Sequence, residues 1–73
     1  NFEKSNFSSA NLTRVNFQGS TLIGVNFKNS NLIEADFTSA NITGANFEGA
    51  NLNNSIWTNG KTCGIESIGK CNN

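Results

Sequence analysis

From Phe2 to Trp57 a large apolar residue returns at every fifth position: Phe2, Phe7, Leu12, Phe17, Leu22, Phe27, Leu32, Phe37, Ile42, Phe47, Leu52 and Trp57. Five residues at about 100° each carry an α-helix about 140° past a whole turn, so these side chains would spiral around it instead of forming a stripe. The Asn, Ser, Thr and Gly between them are weak helix formers. A straight strand fails as well, because five is odd and successive large residues would face opposite ways. Each unit must therefore join a short extended piece to a bend that returns the next side chain to the same interior. A chain that bends alike every five residues coils into a solenoid of stacked turns.

The other positions fit that geometry. The residue two before each centre is small and belongs at a crowded inner corner: Ser5, Ala10, Val15, Ser20, Val25, Ser30, Ala35, Ala40, Ala45, Ala50 and Ser55. Asn precedes the centre in most units, with Thr21, Asp36 and Ile56 as exceptions. Asn bonds its own local backbone and tolerates turns. Outward positions hold Gly19, Gly24, Gly44, Gly49 and assorted polar residues.

A second period counts the sides. Phe at 7, 17, 27, 37 and 47 alternates with aliphatics at 12, 22, 32, 42 and 52. A three-sided coil would stack Phe7 on Leu22. A four-sided coil stacks like on like: Phe7, Phe27 and Phe47; Leu12, Leu32 and Leu52; Phe17, Phe37 and Trp57. Two sides would satisfy the alternation but leave too little interior, so four sides are expected.

Units such as Ala40-Asn41-Ile42-Thr43-Gly44 and Ala45-Asn46-Phe47-Glu48-Gly49 resemble the A-(N/D)-(L/F)-x-x unit of pentapeptide repeat proteins. The resemblance implies an all-β, right-handed quadrilateral parallel β-helix. It places the solenoid at residues 1–59, just under three coils, with a capping tail at 60–73. Some members of that family protect or inhibit DNA gyrase by imitating the size, shape and negative charge of duplex DNA. This chain is far shorter, and its five basic and five acidic residues cancel.

That neutrality argues against a nucleic-acid binder, which would carry a basic stripe. The chain has no His, the commonest general base and metal ligand near neutral pH. Its carboxylates, Glu3, Glu34, Asp36, Glu48 and Glu66, form no acid–base pair with a second group. No catalytic, cofactor or metal site is expected. No apolar run approaches the roughly 20 residues that cross a bilayer, so no membrane insertion is expected. No signal peptide is visible, but a mature chain would have lost it.

The coil also predicts outer neighbours: Arg14 above Glu34 and Lys28 above Glu48. Ile23 and Ile33 fall at outward positions on opposite faces. Asn6, Asn11, Asn41 and Asn53 match the N-glycosylation acceptor pattern, and the fold is expected to point them outward. An Asn-rich repeat with Ser or Thr after the centre also generates such matches by accident.

After Trp57 the rhythm stops at Asn59-Gly60, a turn signal, and Cys63 and Cys71 follow. By themselves these cysteines admit a disulfide, half a zinc site, or a redox pair lacking the usual Cys-x-x-Cys spacing. The stretches Trp57–Cys63 and Ser67–Cys71 resemble a tail of exported pentapeptide repeat proteins. That resemblance implies that Cys63 and Cys71 are joined, in an oxidising compartment outside the cytosol. Trp57 is then expected to cover the last coil, with Ile65 and Ile68 folded beneath it as a cap.

Asn1-Phe2 is already in phase, so the repeat starts without a cap. The end carrying Asn1, Phe2 and Phe7 is expected to self-associate, as a dimer or an open filament. The leading expectation is thus a non-enzymatic structural or interaction module. Its location is extracytoplasmic: secreted, cell-surface or periplasmic, with the thylakoid lumen included. The alternative is a regulatory protein-binding module, including DNA-mimic inhibition of a topoisomerase, which zero net charge disfavours.

Overall fold

Parallel β-bridges join residues twenty apart: Asn6 to Asn26, Asn11 to Asn31, Asn16 to Asp36 and Thr21 to Asn41, then Asn26 to Asn46, Asn31 to Asn51 and Asp36 to Ile56. One coil therefore holds four five-residue sides. The computed structural model describes residues 1–72; Asn73, the last residue of the expected tail, lies outside the described residues. Each side contributes a single bridge and not a continuous strand, because a corner interrupts the chain every five residues.

The corners are turns. The carbonyl of each centre accepts the N–H three residues on, as in Phe27 to Ser30 (3.0 Å) and Phe37 to Ala40 (2.9 Å). The second residue inside each turn has positive φ, from Lys4 at 60° to Gly49 at 71°, while the first does not. That combination defines a type II turn. Glycine suits the position, yet Lys4, Ser9, Arg14, Asn29, Glu34, Ser39 and Asn54 also occupy it. Each such residue opposes the fold by about 1–2 kcal/mol of left-handed strain.

The Asn before each centre offsets part of that cost. Its Oδ1 accepts the N–H two residues on, as from Asn26 to Lys28 (2.9 Å) and from Asn46 to Glu48 (2.9 Å). This pins the outward arc of the unit. Between coils the centre N–H and the N–H two residues on point toward the next coil: Phe27 to Asn46 O (2.7 Å), Asn29 to Glu48 O (2.8 Å). The N–H before the centre points back, as Asn46 to Val25 O (2.9 Å).

Inside, Leu22, Phe27, Leu32, Phe37 and Leu52 are fully buried, together with Val25, Ala35 and Ala50 at the inner corners. Burying each large side chain stabilises the fold by about 1.5–3 kcal/mol. Phe7, Phe27 and Phe47 stack at 5.7 and 5.0 Å. Phe17 stacks on Phe37 at 5.5 Å, whereas Trp57 meets Phe37 edge-on at 5.4 Å. Ser30 and Ser55 are tolerated in this dry interior because each hydroxyl donates to the carbonyl of its own turn, Phe27 O (2.7 Å) and Leu52 O (2.8 Å).

The solenoid ends by a shift of one residue. Positive φ moves from the expected Asn59 to Gly60 (φ 81°), while Gly60 N–H still donates to Trp57 O (2.9 Å). A β-turn followed by a left-handed glycine makes a hairpin. The chain reverses, and Ile56 and Asn51 pair antiparallel with Thr62 and Ile68.

The cap differs from expectation. Ile65 and Ile68 do not fold beneath Trp57; they are 74% and 52% exposed. Cys63 and Ser67 are the buried tail residues. The returning strand lies at hydrogen-bond distance from the last coil, so only small side chains fit between, and the isoleucines turn outward. Trp57 itself is half-buried.

Candidate functional site

The long sides of the solenoid offer little chemistry. Among the described residues no cavity opens and no group of Cys, Asp or Glu is arranged to hold a metal. Arg14 Nε lies 2.8 Å from Glu34 Oε1, and Lys28 Nζ lies 3.4 Å from Glu48 Oε1. Both pairs are exposed, so each stabilises by at most about 1 kcal/mol. Glu34 and Asp36 serve separate partners. Asp36 Oδ1 accepts the Thr38 hydroxyl (2.6 Å) and backbone N–H (2.9 Å), which hold its carboxyl below the usual aspartate range.

The glycosylation-pattern asparagines separate into groups. Asn6, Asn11 and Asn41 are exposed. Asn11 Oδ1 accepts the Thr13 hydroxyl (2.8 Å), and Asn41 Oδ1 the Thr43 hydroxyl (2.7 Å). Asn53 does not point freely outward: it is half-buried, and its Oδ1 accepts the Ser67 N–H of the tail (2.8 Å). The tail adds a partner at this position that the repeat alone does not provide.

The two ends carry the unmet backbone groups. On the first coil Phe2 is 39% exposed and Phe7 half-buried. Their rings meet edge-on at 5.8 Å, and both pack against Phe17 at 5.7 and 6.1 Å. Asn1 Oδ1 accepts Glu3 N–H (3.0 Å). The N–H groups of Asn6, Asn11, Asn16 and Thr21, which in later coils donate backward, have no backbone partner among the described residues.

At the other end Cys63 and Cys71 form a disulfide. Ser67 centres the cap. Its N–H donates to Asn53 and its carbonyl accepts Leu52 N–H (2.7 Å). Its hydroxyl donates to Gly64 O (2.7 Å) and accepts Asn72 N–H (3.0 Å). Cys63 and Gly69 donate to Ser55 O (2.7 Å) and Ala50 O (2.8 Å), and Cys63 O accepts Asn54 N–H (3.0 Å). Neither Ser67 nor Gly64 stands out in the sequence by type. Their signal is the absence of a large centre after Trp57, which means the chain there has no interior left to fill.

Residues 1–66 match the family described as a pentapeptide repeat region. The chain belongs to the pentapeptide repeat family. A right-handed quadrilateral β-helix is the form this membership implies, and the twenty-residue coil agrees with it. A pentapeptide repeat protein from the thylakoid lumen of Arabidopsis thaliana is 34% identical over 75% of this chain and 38% of its own, with a TM-score of 0.75. HetL, a pentapeptide repeat protein involved in heterocyst differentiation regulation in the cyanobacterium Nostoc sp. strain PCC 7120, is 26% identical over 82% of this chain and 33% of its own, with a TM-score of 0.42. The chain thus spans 38% and 33% of these two proteins. No curated protein is significantly similar to it in sequence. As a pentapeptide repeat protein it is a module of structural and protein-interaction type. No helix in it is long and apolar enough to cross a membrane.

Proposed function

We propose that this pentapeptide repeat chain is a non-enzymatic structural or interaction module that works outside the cytosol and associates end to end through its first coil. The observation that carries the reading is the distribution of unmet groups. The inward side chains pack into one continuous core, and the backbone groups of the middle coil are paired above and below. What is left to bind is an edge: the N–H groups of Asn6, Asn11, Asn16 and Thr21 beside the half-covered rings of Phe2 and Phe7. An unpaired β edge next to an apolar floor is a template for further stacking.

The disulfide supports the compartment, since such bonds persist where thiols are oxidised. The thylakoid-lumen origin of the 34%-identical structure agrees with it. Alkylating the native protein before lysis should find Cys63 and Cys71 unreactive; free thiols would overturn the compartment.

Electron microscopy and light scattering of native material test the association. The expected result is dimers or filaments, with the four first-coil amides gaining exchange protection as concentration rises. Monomers at every concentration would overturn it, as would protection of those amides by a preceding coil of a longer chain.

A further inference from the structure

The tail closes only half of the end it caps. It pairs with the sides centred on Leu52 and Trp57, through Leu52, Asn54 and Trp57 N–H and the carbonyls of Ala50 and Ser55. The adjoining sides, centred on Ile42 and Phe47, receive nothing. One coil earlier, the equivalent groups are all bonded: Leu22, Gly24, Phe27 and Asn29 donate N–H, and Ser20 and Val25 accept at their carbonyls. Here the N–H groups of Ile42, Gly44, Phe47 and Gly49, and the carbonyls of Ala40 and Ala45, have no backbone partner among the described residues. Burial registers the same gap. Leu22 and Val25 are fully covered, but Ile42 and Ala45 remain half-exposed.

The disulfide is what stops the tail short. After Gly69 passes the Phe47 carbonyl and Gly49, the bond to Cys63 and the hydrogen bond from Gly64 N–H to Asn72 O turn the chain back. The end is therefore a step. Two sides are raised by one strand and display Ile65 and Ile68; two are sunken and display Ile42 and Ala45.

A straight peptide fits this step poorly, because the open edge turns a corner after five residues. A second copy of the same end fits it. A twofold axis lying in the end face, along the diagonal that divides the capped pair of sides from the open pair, exchanges the two pairs. The tail of each copy then enters the open half of the other, and the two half-layers complete one shared layer. Ile65 and Ile68 of each copy meet Ile42 and Ala45 of its mate. The contact is isologous and closes at two. Lys61, Glu66 and Lys70 give the tail charges of both signs, and the whole chain is neutral, so no bulk repulsion opposes the approach.

We infer that this half-capped end is a cap-to-cap dimer surface whose partner is a second copy of this chain. It uses residues separate from the first-coil edge proposed above and stands or falls apart from it. The broadest section of the molecule, 27 × 23 Å, falls below the roughly 800 Å² per partner of a standard interface, so the dimer is weak and concentration-dependent.

Hydrogen exchange followed from micromolar to millimolar protein tests it, beside sedimentation. The amides of Ile42, Gly44, Phe47 and Gly49 should slow by about tenfold or more as dimer forms. The double variant Ile65→Asp/Ile68→Asp alters two exposed side chains, should keep the fold, and should abolish that slowing. Four outcomes overturn the inference: these amides stay free at every concentration, they are already protected in dilute monomer, only the first-coil amides gain protection, or the double variant dimerises as well as the parent. The third leaves the first-coil reading intact, so the two proposals are separable.

Discussion

Gly60 carries the left-handed conformation that Asn59 would hold if the repeat continued, with φ at 81°. In the preceding turns the positive φ falls on the residue before the last. Moving it one residue on converts a corner into a hairpin and sends the chain back beneath its own last coil, with Trp57 N–H donating to Lys61 O (2.8 Å). Nothing lies within 4 Å of a Cβ built at Gly60, so space is not the constraint there; backbone conformation is.

Gly60→Ala should therefore destabilise the chain by about 1–2 kcal/mol through left-handed strain alone. A urea midpoint measures the loss. The amides of Cys63 and Gly69 should exchange faster in the variant, and those of the middle coil should change less. Uniform loosening of both regions would show that the hairpin does not act locally.

The coil was legible because its determinants are periodic. Phe27 and Leu32 announce the interior by recurrence, and the Phe–aliphatic alternation selects four sides over three. The outer pairs Arg14–Glu34 and Lys28–Glu48 follow from the same count. The cap was legible only as a cysteine pair with a turn before it. Which tail side chains turn inward depends on the gap between two antiparallel backbones, and no periodicity reports that gap. Hence Ile65 and Ile68, apolar and apparently suited to a core, lie outside, while Ser67 lies inside with its hydroxyl satisfied. The half-open end was equally hidden, because it depends on where the disulfide turns the chain.

Ser67→Ala should cost about 1–3 kcal/mol, the range for leaving buried polar groups without partners. Gly64 O and Asn72 N–H both lose the Ser67 hydroxyl. Ser8→Ala, at an exposed corner-facing position, is the control and should be nearly neutral. Thermal melts of the two variants beside the parent decide the matter; equal midpoints would mean that Ser67 does not organise the cap.

Replacing Cys63 and Cys71 together by Ala should lower stability by about 2–3 kcal/mol in the chain-entropy model for so short a loop. The separation between the cysteines is 8 residues. The cap retains its backbone bonds from Leu52 and Asn54, so the solenoid should still fold. The expected signature is faster exchange at the Leu52 and Asn54 amides, with the Phe27 amide little changed. A melting temperature unaffected by reducing agent would rule this out.

Asp36 gives the fold an acid limit whose sign follows from its surroundings. The Thr38 hydroxyl first, and the Thr38 N–H second, favour the carboxylate and depress its pKa in the folded chain. A depressed folded pKa means that the contribution is complete above the unfolded aspartate value of about 3.9 and is lost as pH falls through the folded value. Asn stands at the equivalent place in the neighbouring coil, where Asn16 Oδ1 accepts Gln18 N–H (2.9 Å). Asp36→Asn should therefore fold normally and keep an acceptor at this turn. The parent should be the more stable of the two near neutral pH, and its advantage should shrink once the pH drops below about 4. Melting both proteins from neutral pH to about pH 2 measures the difference directly. A gap that stays constant across that range would mean that Thr38 does not favour the charged form of Asp36.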